Sequence, residues 1–308
     1  MSILRTPADS CSSVRADLRA SRVSGAPPLG HLAGLHPYET EHGTFALALD
    51  MDRPMMAGGP GVLEVAMLAD LALGGALRRE LGPGLPMPTI SMTIQLMPGS
   101  SAEVRAATGD ASAHVDRTAV SRSRLISGTG EVLGDALGVF AFPALPYDGP
   151  HQPMPWDDDA ATVRGSSAEE AHGPAVLDSE AESVAAAVCG HAAGAPEQAW
   201  GSTLLEQSAE KTETGLVYRP TAPVANRMGN VQGGVLFAIA VQAAATAADF
   251  SACELVSGTI DFISAAGTDE ELKAEVRVRR SGRRVLFATV DLSQGERLCA
   301  TVTAVFRR

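Results

Sequence analysis

Apolar residues in this chain form two kinds of run, and the two kinds follow one another in the same order twice. Residues 62–81 and 235–250 are apolar on nearly every side of a 3.6-residue helix, which predicts two helices buried all the way round. The stretches 89–142 and 255–308 alternate with period two and predict strands. Alternation is clearest where Leu298, Ala300, Val302, Ala304 and Phe306 share one face and Cys299, Thr301 and Thr303 the other. Val132, Gly134, Ala136, Gly138, Phe140 and Phe142 repeat that pattern in the first half. Ser281-Gly282, between 274–280 and 285–292, predicts a hairpin, so the sheets should be antiparallel and meandering.

The repeat extends beyond helix and strands. Each half opens with an extended segment, 43–50 or 214–220. A glycine-rich approach follows: Met55-Met56-Ala57-Gly58-Gly59-Pro60-Gly61 in the first half, 226–234 in the second. Between the halves lies a Pro-, Gly- and acid-rich stretch containing Trp156-Asp157-Asp158-Asp159, with a candidate amphipathic helix over 179–189. It predicts a linker that carries the chain across paired modules. The expected organisation is an N-terminal module with an extension over 1–144, a linker over 145–200 and a C-terminal module over 201–308. One buried helix per curved antiparallel sheet is the hotdog arrangement, so the fold class expected is α+β, a double hotdog.

Composition narrows the function. Of 308 residues, 45% are hydrophobic and 19% charged, enough for two sizeable cores. The net charge of −12 disfavours nucleic acid and anionic membrane surfaces as partners. Cys11, Cys189, Cys253 and Cys299 are scattered without the close pairs of a zinc site and read as reduced, buried residues. None of the seven histidines, among them His31, His36, His42, His114 and His151, sits in a recognisable motif, and no metal is expected. Residues 1–20 carry charges throughout, and the apolar stretches 62–77 and 235–248 fall short of the roughly 20 residues a bilayer span needs. A cytoplasmic location without membrane insertion is expected.

Two segments carry a family resemblance. Asn226-Arg227-Met228-Gly229-Asn230-Val231-Gln232-Gly233-Gly234 resembles the Asn-x-x-Gly-x-x-His-Gly-Gly segment of PaaI-type hotdog acyl-CoA thioesterases, with Gln232 in the histidine's place. The resemblance implies that Gly233 offers a backbone N–H at the positive end of a helix to polarise a thioester carbonyl. It also implies that Asn226 orients substrate or water and that Gln232 and Gly234 border the substrate. The family's helical acid, seven positions after the second glycine, falls here on Val241, beside Gln242. Leu68-Ala69-Asp70-Leu71-Ala72-Leu73-Gly74-Gly75-Ala76 resembles the family's acid-bearing helix and keeps the acid as Asp70. Seven residues before Asp70 stands Leu63, with Gly58, Gly59 and Gly61 as the nearest glycines.

In that family the site lies between modules, so one pairing combines Asp70 with Asn226, Gln232, Gly233 and Gly234. The other combines Val241 with Leu63 and has no chemistry to offer. One working site and one relic are expected. Thr89, at the start of the strand after the acid-bearing helix, matches a hydroxyl that relatives use to hold water. Asp70 would serve as general base or as nucleophile, and burial in an apolar helix would raise its pKa. Glu64, six residues before Asp70, faces another way and reads as a first-turn dipole partner. Arg277, Arg279, Arg280, Arg283 and Arg284 form a basic cluster in an acidic chain. Arg279 and Arg283 are candidates for coenzyme A phosphates, against the alternative of a solvated hairpin.

The function implied is acyl-CoA thioester hydrolysis. Coenzyme A enters as part of the substrate, and no separate cofactor is needed. Two alternatives stand beside it: a hotdog protein that binds an acyl-CoA or other apolar ligand without hydrolysis, and, ranked last, a hydratase or dehydratase. Exposed sheet edges or faces lead us to expect a homo-oligomer.

Overall fold

The computed structural model describes residues 29–30, 34–40, 44–53, 56, 59–82, 84–147, 149, 204–205, 208–226, 228–247 and 253–308. Most of the expected linker, the candidate helix over 179–189, Cys11 and Cys189 lie outside them. The first set of elements is β1 (His36–Glu39), β2 (Phe45–Ala48), α1 (Val62–Leu81), β3 (Thr89–Leu96), β4 (Val104–Val115), β5 (Thr118–Ser127) and β6 (Val132–Ala141). The second is β7 (Ala209–Lys211), β8 (Gly215–Tyr218), α2 (Gly233–Ala247), β9 (Glu254–Phe262), β10 (Leu272–Ser281), β11 (Val285–Gln294) and β12 (Arg297–Arg307). Helix α1 has the bounds its apolar run predicts. Helix α2 begins two residues before its apolar run, because both glycines belong to its first turn.

All the strands join one 12-stranded sheet in the order β1-β2-β4-β5-β6-β3-β9-β12-β11-β10-β8-β7. Every pairing is antiparallel, as meandering hairpins dictate. Strands β3 and β9 meet at the middle and make the two modules one sheet. There Thr93 pairs with Thr259, and their hydroxyls share a hydrogen bond of 2.9 Å across 166 residues of sequence.

Two of the sheet's bulges change the faces that the alternation in β6 and β12 predicts. In β12 the register shifts so that Cys299 has no opposite residue; it turns inward to 0% exposure, while Leu298 is 37% exposed. The same happens in β6, where Leu133 is 3% exposed and Val132 43%. Leu298 and Val132 therefore lie outside the inner faces on which alternation puts them, since an extra residue inverts the pleat. The two bulges occupy corresponding places in the repeat.

Helices α1 and α2 pack on the sheet's inner face and against each other. Their closest approach is at Gly234: a β-carbon there would lie 2.6 Å from the backbone nitrogen of Met67. Only glycine admits that distance. Glu64, buried in the first turn of α1, accepts the Gly61 N–H at 2.8 Å and closes the helix start, so its role is capping. Among the described residues no helix is long and apolar enough to cross a membrane.

Candidate active site

Where the start of α2 meets the middle of α1, a cavity of about 620 Å³ opens. Helix α1 contributes Asp70, Leu71, Gly74 and Arg78, the turn before β3 contributes Pro86, Met87 and Pro88, and β3 adds Thr89. The second module contributes Asn226, Gln232 and Gly233 from the approach to α2, and Phe262 with residues 263–266 from the end of β9.

Asp70 is held by both modules. Thr89 Oγ1 donates to its Oδ1 at 3.0 Å, and Gln232 Nε2 lies 3.5 Å from its Oδ2, a long contact. The Gly234 N–H also donates to the carboxylate. Burial pushes the Asp70 carboxyl up to about 6 from 3.8, against the opposing pull of the Thr89 hydroxyl, the Arg78 charge and the Gly234 N–H. Asp70 thus lies against the N-terminal turn of a helix from the other module, where the aligned peptide dipoles favour an anion.

Gly233 approaches closely from the second module: a β-carbon on it would stand 3.0 Å from Asp70 Oδ2 and 3.1 Å from the Phe262 ring. Among the described residues its N–H makes no hydrogen bond, whereas the next N–H is used on Asp70. Gln232 is 4% exposed, and its Oε1 is buried without a hydrogen-bond partner. An unmade bond in that position is costly unless a ligand or water completes it.

Asn226 borders the cavity, but its Oδ1 accepts the N–H groups of Met228 (2.9 Å) and Asn230 (3.2 Å). The side-chain carbonyl of Asn226 is thus engaged in holding the loop before α2. Arg279 and Arg283 are not brought to the cavity. Both are exposed, and Arg279 bonds Thr289. The hairpin bearing Arg283 abuts Arg307, at the opposite end of β9 from Phe262. Strand rise puts it roughly 25 Å away. At that distance the cluster matches the solvated-hairpin alternative.

On the second pairing, Leu63, Val241 and Leu255 are all buried in the apolar core. Leu255 corresponds to Thr89 by the spacing that relates Thr93 to Thr259. Arg78, Phe140 and Phe262 are wall residues that the sequence pattern did not single out. Arg78 had a usable signal, since residues 70, 74 and 78 share one helix face.

Comparison with known proteins bears on the fold. Residues 221–307 match the model of the acyl-CoA thioesterase N-terminal domain. The tesB protein of Mycobacterium avium subs paratuberculosis superposes over 95% of this chain and 98% of its own, at 13% identity and a TM-score of 0.53. The fold is a double hotdog. The E. coli PaaI protein from the phenylacetic acid degradation operon aligns over 35% of this chain and 91% of its own, at 20% identity and a TM-score of 0.32. An acyl-ACP thioesterase from Bacteroides thetaiotaomicron aligns over 77% of this chain and 82% of its own, at 9% identity and a TM-score of 0.41. A sequence search of curated proteins found no match.

Proposed function

We propose that this double hotdog hydrolyses acyl-CoA thioesters at one composite site, with Asp70 as general base. The observation that carries the reading is a carboxylate held jointly by Thr89, Gln232 and the first turn of α2, in the wall of an otherwise largely apolar cavity. A thioester carbonyl between Gly233 and Asp70 would receive the Gly233 N–H, reinforced by the helix dipole. Water would donate one proton to Asp70 and the other to Gln232 Oε1, satisfying the buried orphan. Attack on the carbonyl carbon gives a tetrahedral intermediate. Its collapse releases the coenzyme A thiolate, which recovers the proton from Asp70.

One feature favours base over nucleophile: the Thr89 hydrogen bond and the long Gln232 contact restrain the Asp70 side chain from swinging onto the carbonyl. Burial raises the carboxyl to about 6, which leaves it mostly ionised near neutrality and serves either role. In the opposite pairing, Val241 and Leu255 stand where the acid and hydroxyl would be, so that half works as packing.

The test is turnover of a panel of acyl-CoAs by wild type and by Asp70→Asn. Wild type is expected to hydrolyse, and the variant to lose about 10²–10⁴-fold in kcat while still binding. Wild type that binds acyl-CoA yet never turns over would establish a ligand-binding protein instead.

A further inference from the structure

Among the described residues lining the cavity, two side chains carry charge, Asp70 and Arg78. They lie on one face of α1 with Gly74 between them, each one helical turn apart. The backbone of Arg78 is about 12 Å beyond Asp70 along the helix axis. Its side chain nevertheless folds back toward Asp70: a β-carbon on Gly74 would lie 3.5 Å from Nη1. The absent side chain at 74 leaves the bed in which the guanidinium lies. Arg78 Nε donates to the Leu85 carbonyl at 3.2 Å, fixing the head beside the turn that supplies Pro86, Met87 and Pro88. The guanidinium is thereby brought to about one turn, roughly 5–6 Å along the axis, from Asp70.

A plain hydrocarbon chain gains nothing from a guanidinium in the wall, because it would strip water from the charge and return no bond. An anionic oxygen group would gain a charge-assisted hydrogen bond that offsets its repulsion by the nearby Asp70 carboxylate. The separation from the reacting centre matches a group only a few bonds from the thioester carbonyl. The phosphates of coenzyme A are removed from the sulfur by the whole pantetheine arm.

We propose that Arg78 is a specificity residue that selects short acyl groups ending in a carboxylate. This rests on the thioesterase reading, and its test separates the two. Glutaryl-CoA and pentanoyl-CoA have acyl chains of equal length and differ in the terminal carboxylate; pentanoyl-pantetheine lacks the phosphates. Wild type should prefer glutaryl-CoA over pentanoyl-CoA in kcat/KM. In Arg78→Met that preference should fall about ten- to a hundredfold, chiefly through KM, and Arg78→Lys should keep part of it. A wild type that prefers pentanoyl-CoA overturns the proposal without any variant. Equal losses on all three substrates would overturn it too, leaving Arg78 as a brace for Leu85. A loss on pentanoyl-CoA larger than on pentanoyl-pantetheine, with the glutaryl preference intact, would assign Arg78 to phosphate and also refute it. Calorimetric binding of the two acyl-CoAs to Asp70→Asn reads the same preference without turnover. Glutaryl selectivity there, with an inactive wild type, would keep the Arg78 assignment and remove the hydrolase.

Discussion

Replacing Asp70 by asparagine is expected to strengthen the fold near neutral pH while removing turnover. The carboxyl titrates at about 6 in the folded chain against 3.8 without the fold around it. Between those values the native state binds the proton more tightly than the unfolded chain. The contribution of this group is therefore fully present below 3.8 and is lost as pH rises through about 6. At about 1.4 kcal/mol per pH unit, ionised Asp70 weakens the fold by up to about 3 kcal/mol at about pH 8. Water entering the cavity beside it screens the charge, so this is an upper bound. Asparagine carries no charge and can still accept from Gly234 and Gln232 through its oxygen and present its nitrogen to Thr89. The assay is urea unfolding of both proteins from about pH 4.5 to about pH 8, taking their difference at each pH so that all other titrating groups cancel. The difference should grow by up to about 2 kcal/mol in favour of asparagine across that range, since part of the shift is already spent at about pH 4.5. A difference that stays flat would mean that the carboxyl is hydrated, and the case for its raised basicity would fail.

Thr89→Val removes the hydroxyl donor from Asp70 Oδ1, so the carboxyl should rise further. The acid limb of the kcat/KM profile should move to higher pH, with kcat down about tenfold or more. Gly234→Ala sets a methyl group against the α1 backbone at Met67, which cannot yield as a side-chain tip can. About 1–3 kcal/mol of stability and several degrees in Tm should be lost, as read by calorimetry. Gln294 is buried, accepts the Gly267 N–H at 2.8 Å and donates to Gly267 and Glu270 carbonyls at 2.8 and 3.1 Å. Gln294→Leu orphans those groups beside the loop that supplies Ala265 and Ala266 to the cavity. It should lower stability by about 2–4 kcal/mol in denaturant titrations and raise KM.

Much of the architecture was legible because it is written in periodicity. A helix as apolar as 62–81 has only one place to go, and the repeated order of elements already implies two like modules. The bulges at Leu133 and Cys299 were not legible, since an inserted strand residue looks like any other until its partner strand is known. Resemblance grouped Asp70, Thr89 and Gln232 at one site between the modules. The direct contacts of Thr89 and Gln232 with the Asp70 carboxylate, the latter across 162 residues of sequence, depend on how two helices pack, which no local pattern encodes. Arg78 stayed hidden for a different reason: a cation in the last turn of a helix reads as an ordinary dipole partner facing water. The arginine cluster is the opposite case. Charge density marked it, but a hairpin places its tip by strand length, here at the far end of β9 from the cavity.

The seam at Thr93 and Thr259 has a consequence for how the protein is made. Strands β3 and β9 pair only with β6 and β12 inside their own modules, so each module expressed alone would present a bare strand edge to other chains. Such an edge templates aggregation. It can be covered only after a loop of more than 150 residues has closed, a late event on a chain of this contact order. Duplication within one polypeptide keeps the second edge tethered close by, at a concentration no separate partner would match. The tether also ensures that the half bearing Asp70 meets the half bearing Gly233, never another of its own kind.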